Sequence, residues 1–403
     1  MRITTVFKKL LGLQGTSVRD VEVGVDAIVV DVASRRRRHA CPRCPFSTGA
    51  GYDHAERQWR HVSLGKWRVM LRGVVWRLAC PTHGVITESV PWADHESKFT
   101  RDFEDLVAWL TREMNKTAIT RLVHITWATV GHIAERVANR YLNRQRLADL
   151  FQIGIDEVSY RKRHKYLTLV ANHATGRAVW AGEGRSQKTL GQFFDELGEE
   201  GCARITVATM DMCQPYIAEV RKRLPNAEIA FDPFHVVKLG NEAVHMVRRT
   251  EARERKGTAE ADVLKGSRWA LLKAPEHLSE EEKVRLSNVT KLNARVYRAY
   301  LLKEELRALY ACGTEAAAAH LAAWLAWASR SKLAPFVKLA RTLRKRRDGV
   351  LAAIRLGVSN GRLEGLNNKI GMLKHRAYGF HSAAALIAMI YLCCSGMTIP
   401  LPV

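Results

Sequence analysis

A chain of 403 residues is too long for one hydrophobic core, and its 47% apolar content excludes a disordered or fibrous protein. Lysine and arginine number 64 against 40 acidic residues, and the resulting charge of +24 repels itself in the folded state unless a polyanion neutralises it. Nucleic acid is the first candidate for that partner, and an anionic membrane surface is the competitor.

The membrane alternative finds little in the sequence. Met1 to Leu13 has basic residues but no sustained apolar run with a small-residue cleavage site, so no signal peptide is expected. Ala383 to Met397, the longest apolar stretch, is interrupted by Ser395 and Gly396 and is too short to span a bilayer; it reads as a buried C-terminal helix. A cytoplasmic protein associated with DNA is expected, with its cysteines reduced. Cys202, Cys213, Cys312, Cys393 and Cys394 lack ligand-like spacing and read as core residues.

Residues 1–95 alternate apolar and polar positions in short runs, as in Asp20-Val-Glu-Val-Gly-Val and Trp67-Arg-Val-Met-Leu-Arg, which predicts a small β-rich module. Within it, Cys41-Pro-Arg-Cys44 and Cys80-Pro-Thr-His83 form two matched knuckles. Three thiolates and an imidazole suit tetrahedral zinc, and a site filled by four protein ligands is structural, not catalytic. The alternative is four unrelated buried residues. Arg35, Arg36, Arg37 and Arg38 abut the first knuckle. Such a run is usually a solvated face, but beside a zinc module in so basic a chain it points to phosphate contact.

From Thr100 the period becomes helical, with Phe103, Leu106, Val107 and Leu110 on one face, and residues 96–150 form a second segment. Thr117 to Asn139 allows two short helices with a break near His124 to Thr126, and Thr126 as N-cap of the second. That helix would bury Val130, Ile133 and Val137 and present Thr129, His132 and Arg136 outward, as a helix-turn-helix would toward DNA. An ordinary helical hairpin has the same pattern.

In residues 151–232, strand-like runs alternate with a helical one: Phe151 to Tyr160 carrying Asp156, Lys165 to Ala171, Ala178 to Glu183, a helix from about Gln187 to Leu197, then Ile205 to Asp211. Three strands, a helix and a fourth strand ending in Asp resemble the ribonuclease H-like fold. That resemblance implies that the first and fourth strands are neighbours, so Asp156 and Asp211 can share divalent metal. In-line phosphoryl transfer by two metals needs a third carboxylate. Glu364 supplies it, in the first turns of a helix that Asn360 would cap. Lys369, Lys374, His375 and Arg376 follow as candidate phosphate contacts. Asp232 ends a fifth strand, Glu228 to Phe231, and is expected outside the metal shell, capping the helix that begins at Pro233. Residues 233–358 are almost continuously helical and residues 359–403 helical again.

The stretches Gly154-Ile-Asp-Glu, Met210-Asp-Met-Cys-Gln-Pro-Tyr, Phe231-Asp-Pro-Phe-His-Val and Ser359-Asn-Gly-Arg-Leu-Glu-Gly-Leu-Asn-Asn-Lys-Ile together resemble the ISL3 family of bacterial insertion-sequence transposases. The zinc knuckles and the 117–139 segment resemble that family's zinc finger and helix-turn-helix. Cys213 stands where an aromatic residue is expected. The resemblance implies a multidomain α+β protein: a zinc-ribbon-like module, a helix-turn-helix, and a ribonuclease H-like α/β core with a large helical insertion. It implies DNA cleavage and strand transfer by Asp156, Asp211 and Glu364 on two magnesium ions, with manganese able to substitute, plus one structural zinc. The implied partner is double-stranded DNA, both transposon ends and target, bound by a homodimer or higher oligomer. Arg268-Trp269 in the insertion could place Trp269 on a displaced base, although a Trp anchoring the helices is the plainer expectation. A nuclease of the same fold without strand transfer, and a non-catalytic DNA-binding regulator, are the alternatives.

Overall fold

The computed structural model describes residues 2–142, 144–161 and 165–401. The chain divides into two compact units, Met1–Leu142 with Ala384–Val403, and Asn143–Ala383. The segment 359–403 therefore contributes to both units, because the helix Ala383–Cys394 groups mainly with the first. No helix among the described residues is long and apolar enough to cross a membrane.

The first unit opens with the helix Ile3–Leu11, and seven strands follow among the described residues: β1 (Thr16–Val23), β2 (Ala27–Ser34), β3 (His39–Ala40), β4 (Ser47–Thr48), β5 (Asp53–Arg60), β6 (Arg68–Cys80) and β7 (Gly84–Thr87). The main sheet runs β1-β2-β6-β5, with β7 paired to the end of β6. Alternation along β6 turns Val69, Leu71 and Val75 into a core with Val30, Trp59 and Trp92. The β3–β4 hairpin stands beside the sheet and frames the first cysteine knuckle.

Three helices follow, Arg101–Glu113, Lys116–Val123 and Trp127–Tyr141. Each has the cap its sequence offers: Thr100 accepts from Phe103 N–H, Asn115 from Ala118 N–H, and Thr126 from Thr129 N–H. His124 adopts a left-handed conformation (φ 52°), which turns the chain between the second and third helices. Val130, Ile133 and Val137 are buried as their spacing predicts.

The second unit is built on β8 (Gln152–Arg161), β9 (Lys165–Asn172), β10 (Ala178–Glu183), β11 (Val207–Met210) and β12 (Glu228–Phe231), in the order β10-β9-β8-β11-β12. Only β9 runs against the others: β8 and β10 pair with it antiparallel, while β11 pairs parallel to both β8 and β12. The helices Gln187–Arg204 and Gln214–Arg223 make the crossovers that parallel pairing requires. From Pro233 to Arg355 the chain is helical, and its Val244, Leu302, Trp324 and Phe336 continue the core begun by Ile153, Ile155 and Met210. The last helix of that stretch, Arg347–Arg355, returns to β12 and packs Gly349 on Phe231. The helix Gly361–Arg376 then lies against β8.

Candidate active site and metal centre

Strand register determines how the acids meet. Met210 on β11 pairs with Ile155 on β8 and with Phe231 on β12, so the next residues, Asp156, Asp211 and Asp232, stand level across three adjacent parallel strands, where β11 and β12 end and β8 continues to Arg161. With strands about 4.8 Å apart, Asp211 neighbours both other acids, and Asp156 is about twice as far from Asp232. His235, one turn into the helix Pro233–Glu254, joins two of them: its Nδ1 pairs with Asp211 Oδ1 and lies 2.9 Å from Asp232 Oδ2. Burial disfavours a charged imidazole, but hydrogen bonds to Asp211 and Asp232 outweigh it and raise the pKa to about 10. Asp232 caps its helix, accepting from Phe234 N–H at 3.4 Å, and also accepts from Asn360 N–H at 3.4 Å. Asp211, Asp232 and His235 form a cluster with ligand atoms within 4.8 Å of one another, to which Asp156 and Glu364 do not belong; Asp232, expected at the margin, is a member because the register of β12 sets it beside Asp211.

The helix Gly361–Arg376 is fastened to this edge at several points. Leu363 packs on Gly154 so closely that a Cβ there would lie 2.5 Å from Leu363 Cδ1. Arg362 donates to the carbonyls of His173 (3.1 Å) and Ala174, and His173 Nε2 donates to Ser359 O at 3.0 Å. Lys374 Nζ donates to Ser159 O at 2.7 Å, so this lysine is tied to β8. Asn367 Nδ2 donates to Asp156 Oδ2 at 2.5 Å, while Asp156 Oδ1 accepts from Glu157 N–H at 2.7 Å. Asn360, Glu364 and Asn367 fall at i, i+4 and i+7, one stripe of the helix. Glu364 is exposed between the two asparagines, one linked to Asp232 and the other to Asp156.

Burial pushes the Asp156 carboxyl up, and the charge of Asp211 adds to that; burial likewise raises Glu157. Like charges gathered in a half-buried edge are stabilised by a cation. The side-chain oxygens of Asn360 and Asn367 are buried without a partner. Oxygen donors of this kind fit a hard divalent ion such as magnesium.

The four residues of the two knuckles also converge. Cys41 and Cys44 sit in the β3–β4 hairpin, Cys80 ends β6, and His83 lies in the tight turn into β7. Cys44 Sγ lies 3.6 Å from Cys80 Sγ, and His83 Nδ1 lies 3.6 Å from the Sγ atoms of Cys41 and Cys80. A tetrahedron with Zn–S of about 2.3 Å and Zn–N of about 2.0 Å has edges of about 3.5 to 3.8 Å, so the spacing fits zinc. Burial acts to raise the Cys41 thiol, but the N–H groups of Arg43 and Cys44 and the neighbouring thiols bring it down to about 7.

Of the residues expected to face DNA, Arg35 to Arg38 are all exposed; Arg36 donates to Ser89 Oγ and Arg38 to Ser47 O. Lys369 is exposed and Arg376 half-buried. His132 is exposed and Thr129 half-buried, but Arg136 turns back to buried Glu104, its Nε 3.2 Å from Oε1. Glu104 also holds Arg140, which further pairs with Asp94 and Asp105, so Arg136 belongs to an internal ion cluster. Trp269 departs from the plainer expectation of an anchor: it is 59% exposed, with the Arg268 guanidinium 5.0 Å from its ring centre. Asn367 escaped the sequence reading: its place one turn beyond Glu364 puts it on the same helical stripe, but its contact with Asp156 lies 211 positions away.

Comparison with known proteins adds an independent line. Residues 153–390 match a family model described as transposase, of the ISL3 type, and residues 88–158 match the helix-turn-helix domain of transposase family ISL3. The chain is 39% identical, across its whole length and 98% of the other protein, to a transposase for insertion sequence element IS1557 from Mycobacterium tuberculosis. It is 28% identical, over 93% of its length and 94% of the other's, to a transposase for insertion sequence element IS1001 from Bordetella parapertussis.

Proposed function

Since the chain belongs to the ISL3 family of transposases, we propose that it cuts DNA at the ends of an insertion sequence and joins those ends to target DNA at a centre formed by Asp156, Asp211 and Glu364. The observation that carries this reading is the register of β8 and β11, which sets Asp156 level with Asp211 beneath the helix bearing Glu364. The strand order, with β9 alone reversed, supports a ribonuclease H-like core.

Magnesium or manganese, held by these carboxylates, would supply activation of the attacking oxygen and stabilisation of the leaving one. The remaining work belongs to the protein. Asn367 and the Glu157 N–H each hold one oxygen of Asp156, which fixes the orientation of this carboxylate at the centre; His235 holds Asp211 against Asp232. Lys369 and Arg376 bring positive charge to the flank where the phosphodiester would lie. Water and then the freed 3′-hydroxyl serve as successive nucleophiles at one centre. Because an element has two ends, a homodimer or larger assembly is the working form. In the first unit, zinc held by Cys41, Cys44, Cys80 and His83 would stiffen the module presenting Arg35 to Arg38, and the helix Trp127–Tyr141 would enter the major groove.

The test is incubation of purified protein with magnesium and a supercoiled plasmid carrying the inverted repeats that flank its gene. Cut ends and joined products are expected. Asp211→Asn should abolish both while binding persists, and Asp232→Asn should retain part of the cleavage. Cutting without joining would make the protein a hydrolytic nuclease, and binding without cutting a regulator; either result refutes the proposal.

A further inference from the structure

The helix Gly361–Arg376 ends in an unusual way. Tyr378 N–H bonds to His375 O at 3.1 Å and Gly379 N–H to Lys374 O at 2.9 Å, the paired bonds of a chain-reversing C-terminal cap. The first left-handed position of such a cap is normally glycine, because a Cβ is strained there. Here it is Tyr378, with φ 52°, followed by Gly379 with φ 98°. Among the four described non-glycine residues with positive φ, Tyr378 carries the largest ring, the others being Glu96, His124 and Lys332. Its ring gains nothing from burial in return, being 97% exposed. Local strain and an unburied aromatic both act against folding at one position, and such a combination marks a residue kept for contact with something else.

The surroundings indicate what that is. The exposed side of the helix carries Glu364, Asn368, Lys369, Met372 and His375 in succession, so it leads from the acidic centre to Tyr378. The last turn adds Arg376, while Lys374 is tied to Ser159 O on β8; with Lys369 and Arg376 the helix gives a cationic approach to an aromatic face, the combination that binds nucleic-acid strands by stacking. At 1.5 Å per residue, the tip of the helix is about 20 Å from Glu364. That is about six base steps at about 3.4 Å each along one strand.

We propose that Tyr378 is a DNA-contacting residue whose ring stacks on a base about six steps from the phosphate held at the acidic centre, fixing the register of the strand along the helix. This rests on the reading of the protein as a DNA transposase. The backbone strain serves the contact: a left-handed Tyr378 lifts the ring clear of the helix end, where a helical conformation would fold it back along the last turn.

The test uses the full-length protein, wild type and Tyr378→Gly, Tyr378→Phe and Tyr378→Trp, on terminal-repeat duplexes carrying 5-iododeoxyuridine at successive positions from the cut. Photocrosslinks to the peptide containing Tyr378 are expected from positions about five to seven steps away. Tyr378→Gly should melt at or above the wild-type temperature, because glycine relieves the strain, yet join ends roughly tenfold more slowly. Phe and Trp should keep joining within about twofold, since each retains a stacking face. Crosslinks confined to other peptides, wild-type joining by Tyr378→Gly, or equal loss in Phe and Gly would each overturn the proposal. So would a Tyr378→Gly variant that sediments as a smaller species without DNA and gives no change in crosslinking, since the ring would then bind a second copy of the chain. If the wild type crosslinks through Tyr378 but cuts nothing, the transposase chemistry fails and the Tyr378 contact stands.

Discussion

Asn367 and Asp156 meet across 2.5 Å although 211 positions separate them in sequence, and the contact ties the third-acid helix directly to the acid of the first strand. Asn367 is a positioning residue: its amide N–H holds one Asp156 oxygen while the Glu157 N–H holds the other, and together they orient the carboxylate. Asn367→Ala should lower cleavage by roughly 10- to 100-fold, the usual effect of losing a partner that orients a metal ligand. It should also raise the magnesium concentration needed for half-maximal rate, while binding to terminal DNA stays unchanged. A variant with normal magnesium dependence would show that Asp156 is held by other means.

Zinc removal gives the second prediction. Beyond the cysteines, the cluster around the metal site contains little apolar material, with Leu78 and Ile86 buried and Phe46 partly so. Metal binding therefore carries much of the local folding energy. About one zinc per chain is expected by elemental analysis. Cys41→Ser should lose it and loosen the packing of Trp76, whose ring lies 5.2 Å from that of His39 and 4.6 Å from that of His54. A change in tryptophan fluorescence and weaker DNA binding should follow. Metal-free protein with unaltered fluorescence and affinity would remove zinc from the account.

The parts of this site that were legible in the sequence carry a local mark: the close of an apolar run, the start of a helix or a ligand-like spacing. Asp156 and Asp211 close apolar runs, Glu364 opens a helix, and the cysteine pairs carry their own spacing. Residues whose role depends on which face of a helix meets a distant strand were harder. Asn367 is one of several polar residues in its helix, and nothing local shows that it reaches Asp156. Arg136 looks solvent-facing by periodicity, but buried Glu104 from another helix captures it. Trp269 lies in a helix of five residues, Arg268–Leu272, too short for a period to assign a face. The uniformly apolar helix Ala383–Cys394 carries no directional pattern at all, so its grouping with the first unit could only come from three dimensions.

His61 makes the first unit sensitive to acid. It is buried, its Nδ1 is 2.9 Å from Thr100 Oγ1, and burial lowers its pKa to about 4. Unfolded, it would titrate near about 6.5. The folded state thus binds fewer protons between those values, and stability present above about pH 6.5 is lost as pH falls toward about 4, by on the order of 3 kcal/mol. Asp102 and Asp105, raised by burial, act in the opposite sense, so the informative comparison is with His61→Gln. The melting temperature of the wild type should fall more steeply over this range than that of the variant. Parallel curves would mean that His61 is not held neutral.

The contact between Gly154 and Leu363 permits a test of how the centre is assembled. Gly154 lies two residues before Asp156 on β8, and Leu363 immediately precedes Glu364. With no side chain at 154, Leu363 settles onto the strand itself; a Cβ there would lie 2.5 Å from Cδ1 and 2.6 Å from Cδ2. Gly154→Ala must therefore move the helix, the strand or the Leu363 rotamer, at a cost of about 1–3 kcal/mol for overpacking. A shifted helix also breaks the 2.5 Å bond from Asn367 to Asp156, so cleavage should fall further than the lost stability accounts for. The zinc module and the three-helix segment lie in the other unit, and binding to terminal DNA should persist. Adding Leu363→Ala to Gly154→Ala removes both colliding methyls and should restore part of the cleavage, although Leu363→Ala alone is destabilising through its cavity. Cleavage, melting temperature and DNA affinity measured on the two single variants and the double complete the cycle. If the two substitutions are simply additive in cleavage, the Gly154–Leu363 contact does not set the position of Glu364.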